Sequence, residues 1–206
     1  VIDGKQYSGL FHLLKKSIES PYINILKPTY LSPIHGDLTF ENILYKNNGY
    51  NLLTNSYEPS IKLIDTDCID FLDPPELDLG KICQSVVSQY ELWSSSKDVL
   101  VKIKDVKDIS LNFKLDHALL DDLKEYLLLW KGIIEGNDKH IEIKGRFYMA
   151  LHLIRMIPFR LAVSNDQALF ALASAIKEMT RVLDMIKDLN NYSSDNNVLP
   201  IANKQE

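Results

Sequence analysis

The sequence predicts an α+β domain, predominantly helical, with one small β element in its first third. Three observations carry this. From Leu77 onward, apolar residues recur at intervals of three and four, the period of helices buried on one face. Ahead of them, Ile43-Leu44-Tyr45 and Tyr50-Asn51-Leu52-Leu53 flank Asn47-Asn48-Gly49, a turn signal between short strands. A further apolar run, Ile61-Lys62-Leu63-Ile64, reads as a strand that ends at Asp65.

The elements follow in order. Leu10, Phe11, Leu13, Leu14 and Ile18 give an amphipathic helix between Tyr7 and Ser20, closed by Pro21. An irregular stretch through Pro28 leads to Leu31-Ser32-Pro33-Ile34, so the segment that follows, from His35, sits in a loop. After the β element, Leu77, Ile82, Val86 and Tyr90 mark a helix behind Pro74-Pro75. Leu119, Leu120, Leu123, Leu127 and Trp130 mark another, and Phe147, Leu151 and Ile154 a third that bends or ends near Pro158. Leu169, Leu172, Ala173, Ile176, Met179, Leu183 and Ile186 form the cleanest amphipathic face. Between these, Lys97 to Lys107 alternates lysine with aspartate and β-branched residues, a solvated linker with room for an edge strand. The polar run from Asn190 predicts that the folded unit covers residues 1–189 and that 190–206 is a disordered tail.

Composition narrows the function classes. With 206 residues, 46% of them hydrophobic, the chain can bury one substantial core. A net charge of -5 and a pI near 5.6 argue against nucleic acid or an anionic membrane surface as partner. No run approaches the ~20 apolar residues of a membrane span, and Val1-Ile2-Asp3-Gly4-Lys5 lacks a signal-peptide pattern. Cys68 and Cys83, fifteen apart with no histidine cluster nearby, read as two reduced buried thiols, which fits a cytoplasmic protein.

The chemistry is concentrated in His35-Gly36-Asp37-Leu38-Thr39-Phe40-Glu41-Asn42. Phosphoryl transfer asks a protein for a carboxylate that receives the proton of an attacking hydroxyl, and for oxygen ligands that hold Mg²⁺ on the phosphates. In kinases the base and one metal ligand lie five apart on a single loop, the Asp facing the acceptor and the Asn the metal, and Asp37 and Asn42 resemble that pair in their separation. The apolar strand into Asp65 supplies a second carboxylate, and Mg²⁺ takes such oxygen donors. The bland reading makes His35-Gly36-Asp37 a turn and Asn42 a helix cap.

The pattern His-Gly-Asp-x-x-x-x-Asn, followed by an apolar strand and Asp, resembles the aminoglycoside phosphotransferase and choline kinase superfamily over roughly Ile34 to Ser85. The resemblance implies a kinase-like C-terminal lobe acting as an ATP-dependent small-molecule phosphotransferase. Asp37 would be the catalytic base, Asn42 and Asp65 the Mg²⁺ and nucleotide ligands, and His35 a residue that braces the loop. Asp78, in Leu77-Asp78-Leu79-Gly80-Lys81, resembles the helix-opening Asp that supports the catalytic loop from beneath in these enzymes. A plain N-terminal helix carboxylate, favoured by the dipole, is the other reading of Asp78.

The chain also departs from the pattern. Thr66-Asp67 follows Asp65 where relatives have Phe-Glu or Phe-Gly, leaving Asp67 as a metal or substrate contact or a surface carboxylate. Thr39 stands where protein kinases place a phosphate-contacting lysine. Asp65, Asp67, Asp70, Asp73 and Glu76 could hold a cationic acceptor or form a solvated acidic loop. His152, Arg155, Met156 and Phe159 fall on adjacent turns of one helix, and Arg155 could line an acceptor pocket or join a salt bridge. A glycine-rich loop and strand lysine are not visible, and only about thirty residues precede His35. With Val1 first, the expectation is a helical lobe whose partner, an N-terminal nucleotide lobe, lies elsewhere in a longer protein. The partners expected are therefore a nucleotide and a hydroxyl-bearing small molecule such as a sugar, amino sugar or amino alcohol. A non-catalytic kinase-like scaffold is the alternative.

Overall fold

The computed structural model describes residues 1–28, 30–51, 53, 56–66, 72–105, 107–114 and 140–195. Among the described residues the fold is α+β and predominantly helical, with two small antiparallel sheets. The expected helix around Leu119–Trp130, and Cys68, Asp67 and Asp70, lie outside the described residues.

Helix α1, Leu10–Ser17, ends with Lys15 and Lys16 in its last turn, where cations complement the helix dipole. Of its apolar stripe, Leu13 is buried while Phe11 and Ile18 are exposed. A short helix α2, Tyr22–Leu26, inserts Leu26 between the C-terminal helices, against Ile143, Val182 and Ile186.

The β element differs from the expected one in register. Strand β1 is Ile43–Asn51 and strand β2 is Ser56–Leu63, paired antiparallel with Ile43 opposite Leu63 and Tyr45 opposite Ile61. Chain reversal therefore falls between Asn51 and Ser56. Asn47-Asn48-Gly49 makes an irregularity inside β1, with Gly49 at φ 82°. The same freedom to adopt positive φ that suits a two-residue turn also suits a bulge, and the pairing of β2 with the whole of β1 decides between them.

Helix α3, Glu76–Val86, follows Pro75 and is buried along nearly its full length. A left-handed Gln89, φ 51°, separates it from helix α4, Tyr90–Ser95. The lysine-rich segment forms a hairpin, β3 (Val101–Asp105) with β4 (Asp108–Leu111), and Ile2 joins Ile109 by a parallel bridge. Helix α5, Ile141–Leu161, carries Pro158 within its last turn and ends three residues later. Helix α6, Asn165–Asp195, continues beyond Asn190, so the polar run does not stop the helix where the tail was expected to begin.

Two helices organise the core. Helix α6 buries Ala173, Met179, Leu183 and Ile186 as its periodicity predicts, and also Phe170, Ala171, Ala175 and Val182. It packs against α5 on one side and against Leu13 and Leu26 of α1 and α2 on another, and its alanines permit the close approach. Helix α3 crosses α5 at two glycines. A Cβ on Gly80 would stand 2.7 Å from Tyr148 Cβ and 2.9 Å from its carbonyl carbon, while one on Gly145 would meet Leu79 at 3.0 Å and Cys83 Sγ at 3.2 Å. Cys83 sits in this contact, and burial pushes its thiol up to about 12, so the thiolate that would react is not formed near neutral pH.

Candidate functional site

The loop of the His35 motif is held from three sides, beginning with the backbone that precedes it. Ser32 exchanges both backbone hydrogen bonds with Asp73, at 3.0 Å each, which brings the chain entering the motif beside the chain entering α3. Gly36 turns the loop at φ 85°, a conformation that side chains disfavour, which gives a local reason for glycine after His35.

From beneath, α3 presents one polar stripe to this loop. Both oxygens of Asp78 accept backbone hydrogen bonds, from His35 N–H at 2.6 Å and from Gly36 N–H at 2.9 Å. One turn later, Lys81 Nζ lies 2.8 Å from Asp37 Oδ1. A further turn on, Ser85 Oγ accepts from Phe40 N–H at 3.1 Å and donates to Glu91 of α4. Asp78, Lys81 and Ser85 are spaced i, i+3 and i+7, so one helix face grips the loop at three points. Sequence reasoning singled out Asp78 and passed over Lys81 and Ser85. The signal that could have found them is the i, i+3, i+7 spacing of these polar residues along one helix face.

The third side is the β1–β2 hairpin. His35, 5% exposed, uses both ring nitrogens: Nδ1 accepts from Asp37 N–H at 3.3 Å, and Nε2 donates to the Ile64 carbonyl at 2.9 Å. An Nδ1 that accepts fixes the Nε2–H tautomer, so His35 ties the loop to the end of β2 through both ring nitrogens. Asn42 closes the 3-10 turn Phe40–Asn42 and tethers both neighbours. Its carbonyl accepts from Ile64 N–H at 3.0 Å, and its amide nitrogen donates to the Asp37 carbonyl at 2.8 Å and to Asp37 Oδ2 at 3.3 Å. With the amide nitrogen committed to Asp37, its oxygen remains as the donor atom for a ligand. Thr39 is buried, its N–H on the Asp37 carbonyl at 2.8 Å, and is occupied in shaping the turn.

Asp65 follows β2 directly, exposed, at φ 57°, a region that Asp tolerates better than most residues. Pairing of Ile43 with Leu63 puts Asn42 and Asp65 at the same end of the hairpin. Their side chains supply an amide oxygen and a carboxylate, hard donors of the kind Mg²⁺ takes. Asp37, its carboxylate held on both oxygens by Asn42 and Lys81, remains about one-third exposed beside Asn42.

The C-terminal face resolves differently. His152 is buried, its Nε2 within 3.1 Å of the Leu77 carbonyl, whereas Arg155, one turn on, is exposed and Phe159 is 68% exposed. Arg160 instead turns to Tyr90, donating to its hydroxyl and lying 5.1 Å from its ring centroid. Burial, reinforced by the positive charge of Lys81, holds His152 down at about 4. The sign follows: the unfolded histidine binds a proton below its ordinary 6.5 and the native one only near 4. Its stabilising contribution is therefore whole above 6.5 and is lost as pH falls from 6.5 to 4, by up to about 3 kcal/mol. In urea unfolding at pH 7 and pH 4.5, His152→Gln is expected to lose distinctly less stability on acidification than the wild type; equal losses would show that other groups set the acid sensitivity.

Comparison of the chain with protein-family models, with curated proteins and with solved structures finds no match. Among the described residues, no helix is long and apolar enough to cross a membrane.

Proposed function

We propose that this chain carries the acceptor-activating and metal-binding half of an ATP-dependent phosphotransferase that acts on the hydroxyl of a small molecule. The observation that carries the reading is the Asp37 carboxylate, fixed through both oxygens yet open to solvent, with Asn42 and Asp65 offering oxygen donors at the adjacent hairpin end. This is the division of labour that phosphoryl transfer requires. It also agrees with the kinase-like lobe that the motif resembles, including bracing by His35 and support by Asp78.

In the reaction, Asp37 orients the acceptor hydroxyl and receives its proton as the oxygen bonds to the γ-phosphorus. The bond from that phosphorus to the β-bridging oxygen breaks, and ADP leaves. Asn42 and Asp65 would hold Mg²⁺, which neutralises phosphate charge when bound. Water and phosphate oxygens would fill the rest of its shell.

The test is a screen of the full-length protein for acceptor-dependent ADP release across sugars, amino sugars, choline-like amines and amino alcohols, with Mg²⁺ present. Release with at least one acceptor, suppressed by EDTA, is the expected result. Nucleotide binding without release for any acceptor would replace the enzyme with a kinase-like binding scaffold.

A further inference from the structure

We infer that Lys81 is the positioning residue for Asp37, a role that rests on the phosphotransferase reading. A lysine in a helix ordinarily sends its amine to water, yet Lys81 is 7% exposed and its amine ends 2.8 Å from Asp37 Oδ1. Among the described residues, Asp37 is the carboxylate within ion-pair distance of this amine. His152, from α5, is held neutral near pH 7 by burial and by the positive charge of Lys81. Asp78, one turn away on α3, spends both oxygens on the His35 and Gly36 N–H groups.

Burying such a pair adds little net stability, because both ions must first leave water. Asp78 already fastens α3 to the loop. What the Lys81 contact adds is orientation. Asn42 Nδ2 holds Oδ2 and Lys81 Nζ holds Oδ1, from two different elements, so the carboxylate plane is fixed. One restraint alone would leave the group free to rotate about its Cβ–Cγ bond. The asymmetry of exposure fits this role: the side chain of Lys81 is 9% exposed and that of Asp37 35%, so the cation stays covered while the carboxylate keeps its access to solvent. Thr39 supplies no charge within the loop, and the cation beside the carboxylate comes from the helix instead.

The experiment uses purified full-length protein and the acceptor that releases most ADP. Lys81→Met keeps the buried stem and removes the charge, and is expected to lower kcat by about 10–100-fold with KM for nucleotide within about threefold. Lys81→Arg should fall between it and the wild type. Because Lys81 acts through Asp37, adding Lys81→Met to Asp37→Asn should cost less than about twofold beyond Asp37→Asn alone. A merely structural lysine would weaken both backgrounds equally. Thermal melts accompany each variant, and Lys81→Gln replaces Lys81→Met if the latter does not fold. A single variant within about twofold of wild-type kcat, or a full additional loss in the Asp37→Asn background, overturns the role of Lys81 while leaving the enzyme reading intact. Absence of turnover in the wild type itself overturns both.

Discussion

Asp37→Asn is expected to reduce acceptor-dependent turnover by about 10²–10⁴-fold, the usual worth of a positioned general base, while nucleotide binding stays near the wild-type level. Asparagine retains the shape of the side chain and its place between Asn42 and Lys81, but an amide cannot receive the hydroxyl proton. Asp65→Ala should instead weaken Mg-nucleotide binding together with turnover, because it removes a hard oxygen from the hairpin end. On the proposed reading, the two variants thus separate a proton-handling carboxylate from a metal-facing one. Steady-state ADP release and nucleotide titration with and without Mg²⁺ read the difference. Near-wild-type turnover in Asp37→Asn would remove Asp37 as the base.

Asp78→Ala is expected to cost about 3–5 kcal/mol in urea unfolding and to disable the site. Two backbone N–H groups, of His35 and Gly36, lose a shared charged acceptor, and each such hydrogen bond is worth about 1.5–3 kcal/mol. Among the described residues, no other carboxylate accepts from these two N–H groups, so Asp37 should lose its register with Asn42 as well. Asp78→Asn is expected to fall between, since its amide can accept through one atom only and directs a donor at the other N–H. A loss below about 1 kcal/mol for Asp78→Ala would show that water or a relaxed loop satisfies both groups.

The sequence made some of this arrangement readable and concealed the rest, for reasons that differ by residue. Asp37 and Asn42 were legible because their separation on one loop is itself the constraint. The strand into Asp65 was legible because Ile61, Leu63 and Ile64 form a short apolar run bounded by polar residues. Helix α6 was legible from its 3.6-residue period, although its second buried face was not, since alanines such as Ala171 and Ala175 read as neutral until a neighbour packs on them. Asn47-Asn48-Gly49 misled because residues that favour positive φ serve turns and bulges equally, and pairing at a distance chooses. Lys81 was hidden by its chemistry: a charged residue in a helix reads as solvated, and its burial depends on a carboxylate forty-four positions earlier in the chain. The basic face of α5 separated because His152 turned inward while Arg155 remained outside.

The crossing at Gly80 bears on how accurately the site can be held. Between the residue that supports the loop, Asp78, and the one that reaches Asp37, Lys81, the helix rests on Tyr148 with no side chain of its own at Gly80. Side-chain layers can yield by rotamer changes, but backbone set directly against a neighbouring helix has no such compliance. The reference plane for the carboxylate is therefore the surface of α5, and the tolerance of the site is that of van der Waals contact between two helices.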